Sequence, residues 1–154
     1  MKKVLEFKGE HRFLSNFYVG QPIVVGPWTF KTGEHFYQAL KTEKFSEVKE
    51  IADSQQPYQA KKLGRKVTLR DNWEEVKDRA MEIVVARKFF SDPLAMNRLM
   101  DLDGLDLVEG NTWHDNYWGS CTCLDCGPKP KMNMLGKTLM NFRDEAVRWT
   151  DFDI

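Results

Sequence analysis

The chain has 154 residues, 42% hydrophobic and 12% aromatic, which suits one globular domain with a real core and excludes a disordered chain. Lys plus Arg and Asp plus Glu stand at 23 each, so there is no bulk electrostatic grip on nucleic acid or anionic lipid, and any phosphate recognition is local. The three cysteines fall within residues 121–126, an odd number that is no disulfide framework and makes a reducing, cytoplasmic location the expectation.

In chain order, MKKVLEFKGE carries basic residues without a long apolar run, so it does not read as a signal peptide, and no stretch is long enough to span a bilayer. Val4 to Phe7 reads as a short strand. Pro22 to Val25 and Trp28 to Phe30 read as two more, joined at Gly26-Pro27. Thr32 is placed to cap a helix over about Gly33 to Lys44, Ser46 to cap a second, and Pro57 to open a third that runs to about Leu63 before Gly64. Asp71 to Glu74 has the spacing of a variant capping box before the longest periodic segment, Trp73 to Phe90, whose apolar stripe is Trp73, Val76, Ala80, Ile83, Val84 and Phe90. A helix over Pro93 to Met100, a short exposed strand over Leu105 to Glu109, a loop over residues 110–132 and a helix over Met134 to Trp149 complete the chain. The pattern predicts one α+β domain over residues 1–154, mostly helical with a small sheet of short strands; a loop of that length is often functional.

GEHFYQALK at 33–41 sets Glu34, Gln38 and Lys41 on one side of the predicted helix, since residues three and four apart are neighbours there. Glu34 falls in the first turn, where the helix dipole favours the carboxylate; Lys41 falls near the other end, where it needs burial or a second cation to become a nucleophilic amine. An ordinary solvated helix face is the competing reading. Glu109, Asn111 and the run His114 to Gly119 crowd one loop, where Asp115 is either a second carboxylate or an Asx turn. Ser15, Asn16 and Phe17 stand ready to bind a planar ring, or simply form a turn packed by aromatics. Lys61 to Lys66 is the densest basic run; most of it reads as a solvated helix end, with Arg65 kept as a phosphate ligand. Cys121, Cys123 and Cys126 fall one ligand short of structural zinc, with His114 the nearest fourth; the favoured reading is three reduced thiols and no metal.

Together these segments resemble the YbiA-like, or NADAR, family of N-glycosidases. The matching stretches are FLSNF at 13–17, GEHFYQALK at 33–41, AKKLGR at 60–65, NWEEVK at 72–77, KFF at 88–90, LVE at 107–109, DNYWG at 115–119 and NMLGKTLM at 133–140, followed by Arg143. The Cys-rich segment 121–131 departs from the simplest family pattern. The resemblance implies hydrolysis of a C1–N bond on a phosphorylated ribose without a cofactor. The implied substrates are ribosylamino-pyrimidine phosphates of early riboflavin synthesis, or ADP-ribose attached to guanine in DNA or RNA. By motif it assigns the essential acid to Glu34, a C1-attacking, Schiff-base-forming lysine to Lys41, the loop aspartate to Asp115 and a base-stacking tryptophan to Trp73. It lines the pocket with Asn16, Trp118, Gly119 and Asn133. The alternative from another class is a non-catalytic ADP-ribose or nucleotide-binding module in which Glu34 and Lys41 only grip ligand.

Overall fold

A computed structural model describes residues 3–150, so residues 1–2 and 151–154 of the expected single domain lie outside the described residues. The fold is α+β. Among the described residues it has β1 (Lys3–Val4), a 3-10 helix (Gly9–Leu14), β2 (Ile23–Val25), β3 (Trp28–Phe30), α1 (Gly33–Ala39), α2 (Phe45–Asp53), α3 (Pro57–Gly64), α4 (Trp73–Phe90), α5 (Pro93–Met100), β4 (Asp106–Leu107), β5 (Gly110–Asn111), β6 (Ser120–Cys121) and α6 (Met134–Thr150). No helix among the described residues is long and apolar enough to cross a membrane. The chain divides into two compact units, residues 16–95 and residues 1–15 with 96–154, the division falling within α5.

The first unit is built around α1. The β2–β3 hairpin pairs Ile23 with Phe30 and turns at Gly26, whose φ of 56° is costly for other residues. Every residue of α1 is buried, because α2, α3, α4 and β3 all pack on it. Phe30 and Phe36 stack at 5.1 Å, and Ile51, Ala60, Val84, Val85 and Phe89 are buried in the same unit. Thr32 caps α1 as expected, its hydroxyl accepting the His35 N–H at 3.2 Å. The same hydroxyl meets His35 Nδ1 at 2.7 Å, and Nε2 lies 3.1 Å from the Ser54 carbonyl. This arrangement suits a neutral ring, and burial lowers the His35 pKa from 6.5.

Several boundaries differ from the sequence expectation. Helix α1 stops at Ala39 instead of Lys44: the Lys41 and Thr42 amides turn back to the Gln38 and Ala39 carbonyls at 3.2 and 3.3 Å, tightening the last turn. Helix α2 opens at Phe45 from Lys44, without the Ser46 cap. Neither Asp71 nor Asn72 caps α4 through its side chain; the reciprocal capping box lies instead at Gln56 and Gln59, before α3. In α4 the buried face carries Met81, Val85 and Phe89, while Ile83 and Phe90 are exposed.

In the second unit, the first strand is two residues long, not four. Lys3–Val4 pairs in parallel with Asp106–Leu107. Leu14, Leu99, Leu107 and Leu139 form its fully buried centre. Arg143 is also buried; its Nη1 donates to the Leu102 and Leu105 carbonyls at 2.9 and 2.7 Å, closing the turn before β4. The expected loop at 110–132 contains a second parallel pair, Gly110–Asn111 with Ser120–Cys121.

Candidate active site

The Glu34 carboxylate is placed by a chain of close approaches. Its amide donates to the Asn16 carbonyl at 2.9 Å, so the FLSNF turn fixes the start of α1. One turn later, Gln38 Nε2 donates to Glu34 Oε1 at 2.7 Å, the i,i+4 contact expected from the spacing. Glu34 is 8% exposed and Gln38 3%, so both belong to the interior of the unit. Two glycines make this possible. A Cβ at Gly33 would lie 2.7 Å from Asn16 Oδ1, and one at Gly64 only 1.8 Å from Gln38 Oε1. These two oxygens are the buried side-chain atoms without a hydrogen-bond partner among the described residues, and each faces a glycine that has no side chain to push it away.

Lys41 follows in the tightened turn and is half-buried, not on a solvated face. Burial is the largest influence and lowers its amine pKa from 10.5. The Glu34 carboxylate opposes that shift, and the Lys61 ammonium and Arg65 guanidinium add to it. These are the two conditions that a nucleophilic lysine needs, a desolvated amine and a nearby cation. The ammonium lies 5.6 Å from the centre of the Tyr37 ring, and Tyr37 packs against Trp73 at 5.5 Å with the rings tilted by 59°. Trp73 is 5% exposed, so its indole supports Tyr37 and presents little open face to a stacked base. Lys61 also lies 5.8 Å over the half-buried Phe17 ring, which brings that aromatic to the same cationic cluster.

In the other unit, Asp115 follows the turn alternative. Its Oδ1 accepts the Tyr117 and Trp118 amides at 3.1 and 2.9 Å. Buried Asn111 clamps the same loop, donating to the Asp115 carbonyl at 2.7 Å and accepting the Trp113 and Asp115 amides at 3.2 Å. Gly119 permits a close crossing, since a Cβ there would stand 2.4 Å from the Glu109 carbonyl oxygen. Asn133 holds a φ of 48°; its side chain accepts the Glu109 amide at 3.0 Å and donates to the Leu107 carbonyl at 2.9 Å. Trp118 stands edge-on to Tyr117 at 4.9 Å, and Ser15 ends the 3-10 helix with its amide on the Arg12 carbonyl. His114, with φ at 70°, costs roughly 1–2 kcal/mol of backbone strain and turns its ring onto the cysteines, Nδ1 lying 3.2 Å from Cys123 Sγ and 3.3 Å from Cys126 Sγ.

Residues 6–146, which include parts of both units, match the NADAR domain. This chain belongs to the NADAR family. It is 36% identical over 137 residues to N-glycosidase YbiA of Escherichia coli (strain K12), an alignment covering 86% of this chain and 80% of YbiA. The NMR structure of E. coli YbiA matches it with a TM-score of 0.80 at 29% identity, covering 100% of this chain and 92% of that one. A riboflavin biosynthesis protein of Vibrio vulnificus (strain YJ016) is 28% identical over 146 residues, 94% of this chain and 38% of that longer protein.

Within this NADAR chain the first unit brings together Asn16, Phe17, Glu34, Lys41, Arg65 and Trp73, six of the residues singled out by sequence. Ser15, Glu109, Asp115, Trp118, Gly119 and Asn133 belong to the second unit. Sequence reasoning left Gln38 out of the site, although its i,i+4 relation to Glu34 is legible in the motif. It also assigned Lys61 to a solvated helix end. Its relation to Lys41 spans twenty residues and appears only once α1 packs on α3.

Proposed function

We propose that this NADAR protein hydrolyses the C1–N bond of a phosphoribosyl or ADP-ribosyl N-glycoside, with the Lys41 amine as nucleophile. The observation that carries the reading is the half-buried Lys41, its ammonium form disfavoured by desolvation and by Lys61 and Arg65, with a buried carboxylate at Glu34 acting on it. The family's N-glycosidase and riboflavin-biosynthesis names support the same class of reaction. The Lys41 Nζ lone pair attacks C1, and the C1–N bond breaks with its electron pair going to the base, which takes up a proton. Nζ gives up its two protons, one relayed to the departing base and one to the ring oxygen as the sugar ring opens, and C1=Nζ remains as a Schiff base. Water then adds to C1, Nζ departs as the free amine, and the net reaction is hydrolysis. Dividing one displacement into two steps is the general advantage of such a nucleophile.

Glu34, fixed by Gln38 and the Asn16 carbonyl, stabilises positive charge developing at C1 or carries the proton to the leaving base. Arg65 and the adjoining lysines supply the phosphate grip that a neutral chain otherwise lacks. Trp73 acts through Tyr37, holding the ring beneath the Lys41 ammonium. Asp115 orders the 115–119 loop through its amide bonds.

The test is borohydride reduction during turnover, run in parallel on a ribosylamino-pyrimidine phosphate and on ADP-ribosylated guanine. A sugar adduct on Lys41 is expected, and label on no lysine refutes the nucleophilic role. Glu34→Gln should keep substrate binding and lose turnover by roughly 10²-fold or more. Unchanged turnover would refute the role given to Glu34, whereas ligand binding without turnover in the wild type would leave the non-catalytic binding module as the better account.

A further inference from the structure

The loop over residues 110–132 brings four candidate metal donors together. His114, Cys121, Cys123 and Cys126 each offer one ligand atom, and these atoms all lie within 4.8 Å of one another. A tetrahedral zinc with Zn–S of about 2.3 Å and Zn–N of about 2.0 Å needs S···S edges of roughly 3.8 Å and S···N edges of roughly 3.5 Å. The two His114 edges, 3.2 and 3.3 Å, are already close to that figure. Cysteines alone leave the set one ligand short; the ring that completes it is brought in by the left-handed backbone at His114.

The surroundings are also those of a metal–thiolate centre. The Cys126 amide points at Cys123 Sγ at 3.3 Å and the Cys123 amide at Cys121 Sγ at 3.5 Å. Asn116 Nδ2 donates to Cys126 Sγ at 3.2 Å while its Oδ1 accepts the Cys121 amide at 3.0 Å. Such contacts offset charge on thiolate sulfur and orient the ligands. Cys121 and Cys126 are buried, and Cys121 is anchored in β6 opposite Asn111.

We propose that His114, Cys121, Cys123 and Cys126 form a structural site for one zinc ion. With four protein ligands the site is closed, so the metal organises the chain and does no chemistry. His114 and Cys121 bracket residues 115–120, so one ion ties both ends of the Asp115–Gly119 loop and holds it to the turn at Cys123–Gly127. The assignment stands independently of the reaction proposed above.

The decisive measurement is metal analysis of the full chain, purified under reducing conditions from zinc-supplemented cells without chelator. About one zinc per chain is expected. Replacement by Co²⁺ should give thiolate-to-metal charge transfer with tetrahedral d–d bands. Chelation should expose three thiols and speed amide exchange across residues 110–132 before that of α1. Asn116→Ala should weaken metal retention roughly 10- to 100-fold, as loss of an outer partner does elsewhere. Cys123→Ser should abolish stoichiometric binding. Folded, reduced wild-type protein that takes up less than about a tenth of an equivalent of zinc, or an octahedral Co²⁺ spectrum, overturns the proposal without reference to any variant.

Discussion

Replacing Gly64 by alanine tests whether the grip of Gln38 on Glu34 holds the centre of the first unit. The new Cβ would stand 1.8 Å from Gln38 Oε1, 2.6 Å from its Cδ and 3.1 Å from its Cβ. Ordinary contact requires a further ~1.5 Å or more, and Gln38 is 3% exposed, so the amide has no solvent into which to swing. Its bond to Glu34 Oε1, 2.7 Å long, is therefore lost. A hydrogen bond to a charged group contributes about 1.5–3 kcal/mol and overpacking costs about 1–3 kcal/mol. Alanine returns up to about 1 kcal/mol of helix propensity, less at a terminal position of α3. The net expectation is a loss of about 1.5–6 kcal/mol, a drop in Tm of roughly 3–24 °C for a chain of this size. Urea unfolding of wild type, Gly64→Ala, Gln38→Ala and the double variant gives the coupling directly. With Gln38 truncated, Gly64→Ala should become neutral or stabilising. A Gly64→Ala protein as stable as wild type, or equal costs in both backgrounds, would refute the reasoning.

Three further outcomes follow from the same geometry. Lys41 is held below 10.5 by burial and by Lys61 and Arg65 and pulled up by Glu34, so Lys61→Gln should move the acid limb of the kcat/KM–pH profile to higher pH. Glu34→Gln, measured on residual activity, should move it lower. His35 has a folded pKa below its ordinary 6.5, so the unfolded chain takes up that proton first. Stability should be full above about 6.5 and decline as pH falls below it. Urea midpoints between about pH 7 and pH 5 measure this, and His35→Gln should flatten the contribution. Phe89→Ala should cost about 3–5 kcal/mol, whereas Phe90→Ala, at a residue 70% exposed, should stay within about 0.5 kcal/mol; equal effects by thermal melting would contradict the observed face of α4.

What was readable from the residues alone divides along the range of the forces involved. Pro57, Pro93 and Thr32 mark helix starts through local backbone chemistry, and α3, α5 and α1 begin where they indicate. The face of α4 was readable in part: Trp73, Ala80 and Val84 are buried as the spacing indicates. Apolar residues lie around much of its circumference, so spacing chose Ile83 and Phe90 where packing chose Met81, Val85 and Phe89. The Glu34–Gln38 contact is a four-residue relation and was visible in the motif. Desolvation of Lys41 depends on Lys61 and Arg65 arriving from another helix, and no spacing rule carries that information. His114 was visible as the nearest fourth donor to the cysteines, but the positive φ that turns its ring onto them was not, because nothing in the sequence marks a left-handed backbone at a non-glycine residue.

Helix α1 has seven residues, all buried, and a peptide of that length has negligible helicity in water. It therefore has no intermediate state of its own. Its amides should exchange with solvent only when residues 16–95 open as one body, and the geometry of Glu34 should vanish in the same event. Loss of activity on heating then becomes a clock for unfolding of that unit, not a sign of local damage. Substitutions in α4 far from Lys41 should lengthen or shorten the working life of the protein while leaving its initial rate untouched.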